Sequence, residues 1–166
     1  MGDWAEAATQ SEQALALFRQ TGDQAGQQRA LAGLGECHAR LGNYELARGY
    51  ARQALEAGPA TGDRTVPAMA WDALGIAHSR LGEPGQAMGC YRQGLALVRE
   101  LKEPFGRAML ANMLAEFGDA CQAAGDLPAA VQAWRQALQV LDDLGWPDLL
   151  GIGARLEQAG VPSLPG

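Results

Sequence analysis

Two histidines, three cysteines and a spaced row of arginines are the side chains in this sequence with the reactivity or charge to form a site. Cys37 is followed directly by His38, and His78, Cys90 and Cys121 stand further along. Thiolate and imidazole groups invite a metal or catalytic reading. The spacing argues against it: Cys37 and His38 are neighbours, and no CxxC pair occurs. There is also no GxxxxGK[ST], GxSxG, HExxH or dinucleotide-binding pattern. Catalytic, cofactor and metal residues are therefore expected to be none, and the thiols are expected to pack in the interior, as free cysteines usually do.

The histidines belong to a copied phrase. HARLGNYELARGYARQAL, residues 38–55, returns as HSRLGEPGQAMGCYRQGL, residues 78–95, and again more loosely as CQAAGDLPAAVQAWRQAL, residues 121–138. A site used once does not need to be copied with the chain, so His38 and His78 read as packing residues. Arg52, Arg92 and Arg135 recur in the same way beside Ala51, Tyr91 and Trp134. That places them on the solvated side of a helix whose other side is buried.

The elements that carry these residues follow from the repeat. Aligned on Gly42, Gly82 and Gly125, the copies bring together Leu34-Gly35, Leu74-Gly75 and Phe117-Gly118 upstream. Downstream they bring together Ala47, Ala87 and Ala130, then Ala51, Tyr91 and Trp134, then Ala54, Gly94 and Ala137. Steps of three and four trace one helix face. The central glycine suits a left-handed helix end, and the polar residue after it, Asn43, Glu83 or Asp126, suits an N-cap. Each copy predicts a helix hairpin, with Gly35, Gly75 and Gly118 facing Ala47, Ala87 and Ala130 so that the backbones approach closely.

The expected organisation is all-α, one array over residues 1–160: a half repeat at 1–20, repeats at 24–58, 64–101 and 104–144, a capping helix at 148–160, and a tail at 161–166. The step from Gly75 to Gly118 is 43 residues instead of 40, which predicts a longer helix from Phe105 to Ala124. The final helix is expected from about Asp148 to Ala159, with Pro162 and Pro165 beyond it. Gly2 aligns with Gly42, so the array opens half way through a repeat. An apolar face of the first helix carrying Trp4, Leu15 and Phe18 is then expected to meet further protein or another copy of the chain.

Composition narrows the partners. Asp and Glu total 19 against 13 Lys and Arg, a net charge of −6, which leaves no basic footprint for nucleic acid. No signal peptide or membrane-length apolar run is present, and three cysteines do not make a disulfide framework. A cytoplasmic setting is expected.

Trp71-x2-Leu74-Gly75-x2-His78 followed by Ala87-x3-Tyr91 resembles the tetratricopeptide repeat (TPR) pattern. The first copy adds Leu34-Gly35, Ala47, Ala54 and Pro59, and the third adds Gly118, Ala130, Trp134 and Ala137. The spacing of about 40 resembles the longer-repeat subclass. Residues 31–47 and 127–138 are similar to the C-terminal TPR regions of actinobacterial SARP and NB-ARC-type transcriptional regulators.

That resemblance implies a right-handed superhelix of antiparallel hairpins, non-enzymatic and without a cofactor, whose first helices line a concave groove for a protein or peptide. It places Arg29, Glu36 and Arg40 of the first copy in the groove, with Met69, Asp72, Ile76 and Arg80 of the second and Asn112, Asp119 and Gln122 of the third. The Asn positions that long-repeat relatives use on peptide backbone are Gly33, Ala73 and Glu116 here. Two functions stay open at this point: an interaction scaffold that meets a protein, a peptide or other domains of its own regulator, and a module that senses a small effector.

Overall fold

A computed structural model describes residues 3–58 and 62–161. Among them are eight helices and no strand: α1 (Trp4–Thr21), α2 (Gln24–Arg40), α3 (Tyr44–Glu56), α4 (Thr65–Arg80), α5 (Pro84–Val98), α6 (Pro104–Ala123), α7 (Leu127–Asp143) and α8 (Ile152–Gln158). Each packs on the next in chain order, and α2, α4 and α6 also pack on one another, whereas α3, α5 and α7 do not form such a row. The result is an α-α superhelix whose inner wall is α2, α4 and α6. Pro59, Pro162 and Pro165 lie outside the described residues.

The hairpin turns are built as the repeat predicts. Gly42, Gly82 and Gly125 take φ of 81°, 79° and 84°, a region that costs a side chain energy and glycine nothing. The residue after each glycine donates its backbone N–H to a carbonyl five positions back, from Asn43 to His38, Glu83 to His78 and Asp126 to Cys121. These bonds close a Schellman-type end.

Capping departs from the expectation in two of the three turns. Asp126 accepts from the Ala129 N–H at 3.1 Å, but Asn43 and Glu83 make no side-chain cap. Their side chains are drawn back to the copied histidines: Asn43 Nδ2 lies 3.3 Å from His38 Nδ1, and Glu83 bonds His78 Nδ1. Where the third copy has Cys121 instead of His, the acid is free to cap.

The glycines of the first helices also face other partners than expected. A Cβ on Gly75 would lie 2.6 Å from the Tyr91 ring, and one on Gly118 would lie 2.4 Å from Trp134. Only at Gly35 are the neighbours small, Ala51 and Ala73 at 3.4 Å. The residue four positions after the aligned alanine, and not the alanine itself, occupies the slot. Trp134, Tyr91, Leu34 and Met113 are the largest fully buried side chains, and alanines fill much of the remainder.

At the ends, the first helix is better covered than the sequence suggests. Leu15 is buried against α2, and Phe18 is half-buried with its ring over Gly26, so that of the three expected apolar residues only Trp4 is exposed. Helix α6 is 20 residues long, against 17 in α2 and 16 in α4. Helix α8 is shorter than expected. Gly151 at φ 63° blocks an earlier start, and Asp148 caps the helix from outside by accepting from the Ile152 and Gly153 N–H groups at 2.9 and 2.7 Å.

Candidate functional site

The inner wall brings Glu36 and Arg40 of α2, Met69 and Asp72 of α4, and Asn112 of α6 into one groove pocket of about 170 Å³. Phe105, Ala108 and Met109 complete its lining. The five expected residues meet because α2, α4 and α6 stack side by side, and steps of three and four along each helix hold one face toward the groove. Phe105, Ala108 and Met109 were not on the expected list. Counting back from Asn112 in threes and fours along α6 reaches them, so the helical period carried the signal.

Other expected groove residues go elsewhere. Ile76 is buried with Ala39, Ala47 and Ala77 in the contact between repeats, because its position on α4 faces the preceding hairpin. Asp119 accepts from Trp134 Nε1 at 3.0 Å and holds Arg155 of α8 through Nε at 2.9 Å and Nη2 at 3.0 Å. Arg29, Arg80 and Gln122 are exposed on the first helices outside the pocket. Of the three positions where long-repeat relatives carry Asn, Ala73 is buried and Gly33 stands against Ser11, which leaves Glu116 as the one with a charge to offer.

The electrostatics of the pocket centre on Asp72. Its Oδ1 is buried without a hydrogen-bond partner, and no cation lies within ion-pair distance of it among the described residues. Burial pushes its carboxyl up to about 7 against the pull of Arg40, with Glu116 and Glu36 adding to the rise. Glu116 is raised by burial as well, opposed mainly by Arg80. Tyr91 of α5 is fully buried, its hydroxyl has no partner either, and burial followed by the charges of Glu116 and Asp72 pushes its pKa up. At the rim, the Arg40 guanidinium lies 5.9 Å from the centre of the Trp4 ring.

The residues that first suggested chemistry are structural in position. His38 stacks on Tyr50 with 5.3 Å between ring centres, and His78 is buried in its bond to Glu83, which Arg48 approaches at 3.8 Å. All three cysteines are free and buried, and burial raises their thiols, Cys90 to about 11. No group of three or more His, Cys, Asp or Glu residues among those described is placed to hold a metal. Arg52, Arg92 and Arg135 are exposed on the outer helices, where Arg92 covers Phe117 at 5.8 Å.

Two matches to tetratricopeptide-repeat family models cover residues 1–60 and 70–105. The chain carries tetratricopeptide repeats. The second TPR match stops at residue 105, two residues into α6, and leaves the rest of the third hairpin uncovered, where Phe117 replaces the Leu before the glycine and α6 is extended. No curated protein matches the chain. Among solved structures, BtubC (BKLC) from P. vanneervenii superposes with a TM-score of 0.69 at 21% identity, over 99% of this chain and 61% of that one. That likeness speaks to the fold, and this chain spans about three fifths of its length. TPR domains generally mediate protein–protein interaction and are typically non-enzymatic scaffolds. No helix among the described residues is long and apolar enough to cross a membrane.

Proposed function

We propose that this TPR array is a protein–protein interaction scaffold, a segment of a larger bacterial regulatory protein of the cytoplasm, that holds a peptide or a domain on its concave face. The observation that carries this reading is the open groove pocket across α2, α4 and α6, where the exposed Phe105 and the half-buried Met69 and Met109 stand beside a carboxylate with no internal partner. Buried polar groups are normally satisfied. An unsatisfied one beside an open groove suits a partner that satisfies it. The net charge of −6 favours neither nucleic acid nor an anionic membrane as that partner.

The test is selection of 12-residue peptides from a random library on the immobilised chain, followed by variants of the face. Ala108→Trp, which fills the pocket, and the pair Arg40→Glu with Arg80→Glu should each weaken the selected peptides at least tenfold, with melting temperature close to the parent. Affinity unchanged in all of these variants would move the binding face away from the groove.

The size of the pocket favours a second reading, an effector-sensing module. A cavity of about 150 Å³ takes a benzene-sized guest, so a small molecule would fit alone and alter the curvature of the array. Thermal-shift screening of metabolites separates the two readings: stabilisation by a small molecule, abolished in Ala108→Trp, would favour the sensor.

A further inference from the structure

Carboxylates outnumber cations around Asp72, and the details of their pairing point to the chemistry of the guest. Arg40 and Glu36 of α2 and Glu116 of α6 are close enough to act on the charge of Asp72, and Asp72 acts on Tyr91 of α5; Arg80, Asp119 and Arg155 are the charged neighbours of Glu116. Asp119 and Arg155 neutralise each other in a two-pronged ion pair. Three carboxylates, Glu36, Asp72 and Glu116, then remain against Arg40 and Arg80, with no ion pair within 4 Å joining them. The Tyr91 hydroxyl is also without a partner, but it is fully buried and is not part of the pocket lining.

The walls are of the opposite kind. Phe105 is 64% exposed although it lines the pocket, and Met69 and Met109 stand beside it. An aromatic face and two thioethers above an unpaired carboxylate suit a group that is apolar along its length and cationic at its tip. A planar guanidinium, with several donors spread over one plane, can serve scattered acceptors that a compact ammonium cannot.

We propose that the pocket seats an arginine side chain of a partner peptide, its guanidinium against Asp72 and its stem between Phe105, Met69 and Met109. This rests on the concave face being the binding face and names what that face selects. The array thus reads a basic residue, and Arg40 at the rim disfavours a second one placed on its side.

Ionisation makes the seat pH-dependent in a defined direction. In the free protein Asp72 is neutral well below pH 7 and charged above it, and an arginine stays charged throughout. Only the ionised carboxylate forms the charged pair, so affinity rises with pH and levels off above the Asp72 pKa. Between pH 5.5 and 8 the gain should reach about ten- to thirtyfold. Glu116, raised in the same sense, adds to the slope.

The experiment uses the library selection described above. Arginine should be enriched at one position of the selected peptides. Replacing it by lysine should weaken binding, and replacing it by norleucine should nearly abolish it. Asp72→Asn should weaken the arginine peptides about ten- to a hundredfold at pH 8 and flatten their pH profile, and Glu116→Gln should do so to a smaller extent. Peptides that lose binding in Ala108→Trp but show no arginine preference and ignore Asp72→Asn would overturn this proposal and leave the interaction reading standing. Peptides indifferent to Ala108→Trp as well would overturn both. L-arginine amide binding as tightly as the peptides, in an Asp72-dependent way, would replace the peptide partner by a small cation.

Discussion

The second and third hairpins each place an aromatic ring in the slot above a glycine, Tyr91 over Gly75 and Trp134 over Gly118, and they treat the polar tip of that ring in opposite ways. Trp134 donates to Asp119, which in turn clamps Arg155 of the capping helix, so every charge in that chain of contacts is used. Tyr91 ends in a hydroxyl with no partner, close enough to Glu116 and Asp72 to be perturbed by both, and Asp72 itself is unsatisfied. The third hairpin is a closed end that holds the stack together. The second is an open middle that holds polar capacity in reserve, and its Met69 and Asp72 join α2 and the start of α6 in lining the groove pocket.

The largest effect expected from this contrast is at the closed end. Trp134→Ala removes the largest fully buried side chain and leaves Asp119 and Arg155 without their anchor, at a cost of about 3 to 5 kcal/mol. Urea unfolding at pH 7 reads the loss. Hydrogen exchange should show α8 losing protection first, since it is the shortest helix, packs at the end of the stack against α7 and is held by the Asp119 clamp. A loss below about 1 kcal/mol would mean that the third hairpin is not the anchor of the array.

The open middle should respond in the reverse direction. Asp72→Asn keeps the shape and removes a charge that is costly to bury. In the folded state the carboxyl is raised to about 7, against 3.8 for an unperturbed one. Between those two values the folded chain holds a proton that the unfolded chain has released, so stability falls as pH rises through the interval. Asn is free of this loss. The variant should therefore be more stable than the parent by about 2 to 4 kcal/mol at pH 8, with the difference vanishing near pH 4. Parallel pH profiles for parent and variant would show that Asp72 is not buried as a charge.

How far this contrast was legible in the sequence depends on which physical cue each residue carried. The hairpins, turn glycines and buried aromatic positions were readable because they repeat, and a repeat exposes what backbone geometry demands. The groove residues Glu36, Arg40, Met69, Asp72 and Asn112 follow from the resemblance to TPR groove positions, and the helical period agrees in putting each set on one helix face. Ile76 was misplaced, since the same period cannot say whether a residue at the edge of the face meets the groove or the next repeat. Phe105 sits in the extension of α6, where the copies no longer align, whereas Met109 aligns with Val66 of α4. Capping by Asn43 and Glu83 was wrongly expected because the sequence showed two good capping side chains and not the histidines competing for them.

The smallest effects test the slot itself. Gly75→Ala would drive a methyl to 2.6 Å from the Tyr91 ring, a contact that only a shift of a fully buried side chain can relieve. Alanine is favoured over glycine inside a helix by about 1 kcal/mol, and overpacking costs about 1 to 3, so the net change should be a loss of up to about 2 kcal/mol. At Gly35 the nearest atoms are at 3.4 Å and belong to Ala51 and Ala73, so the helix term should cancel or exceed the crowding, for a net change within about 0.5 kcal/mol of zero. Thermal melts of the two single variants give the comparison directly. Equal losses at the two sites would mean that the glycines serve backbone approach everywhere. A loss at Gly75 alone would identify the ring as the reason for the glycine, and Ala51 as the copy in which that reason is absent.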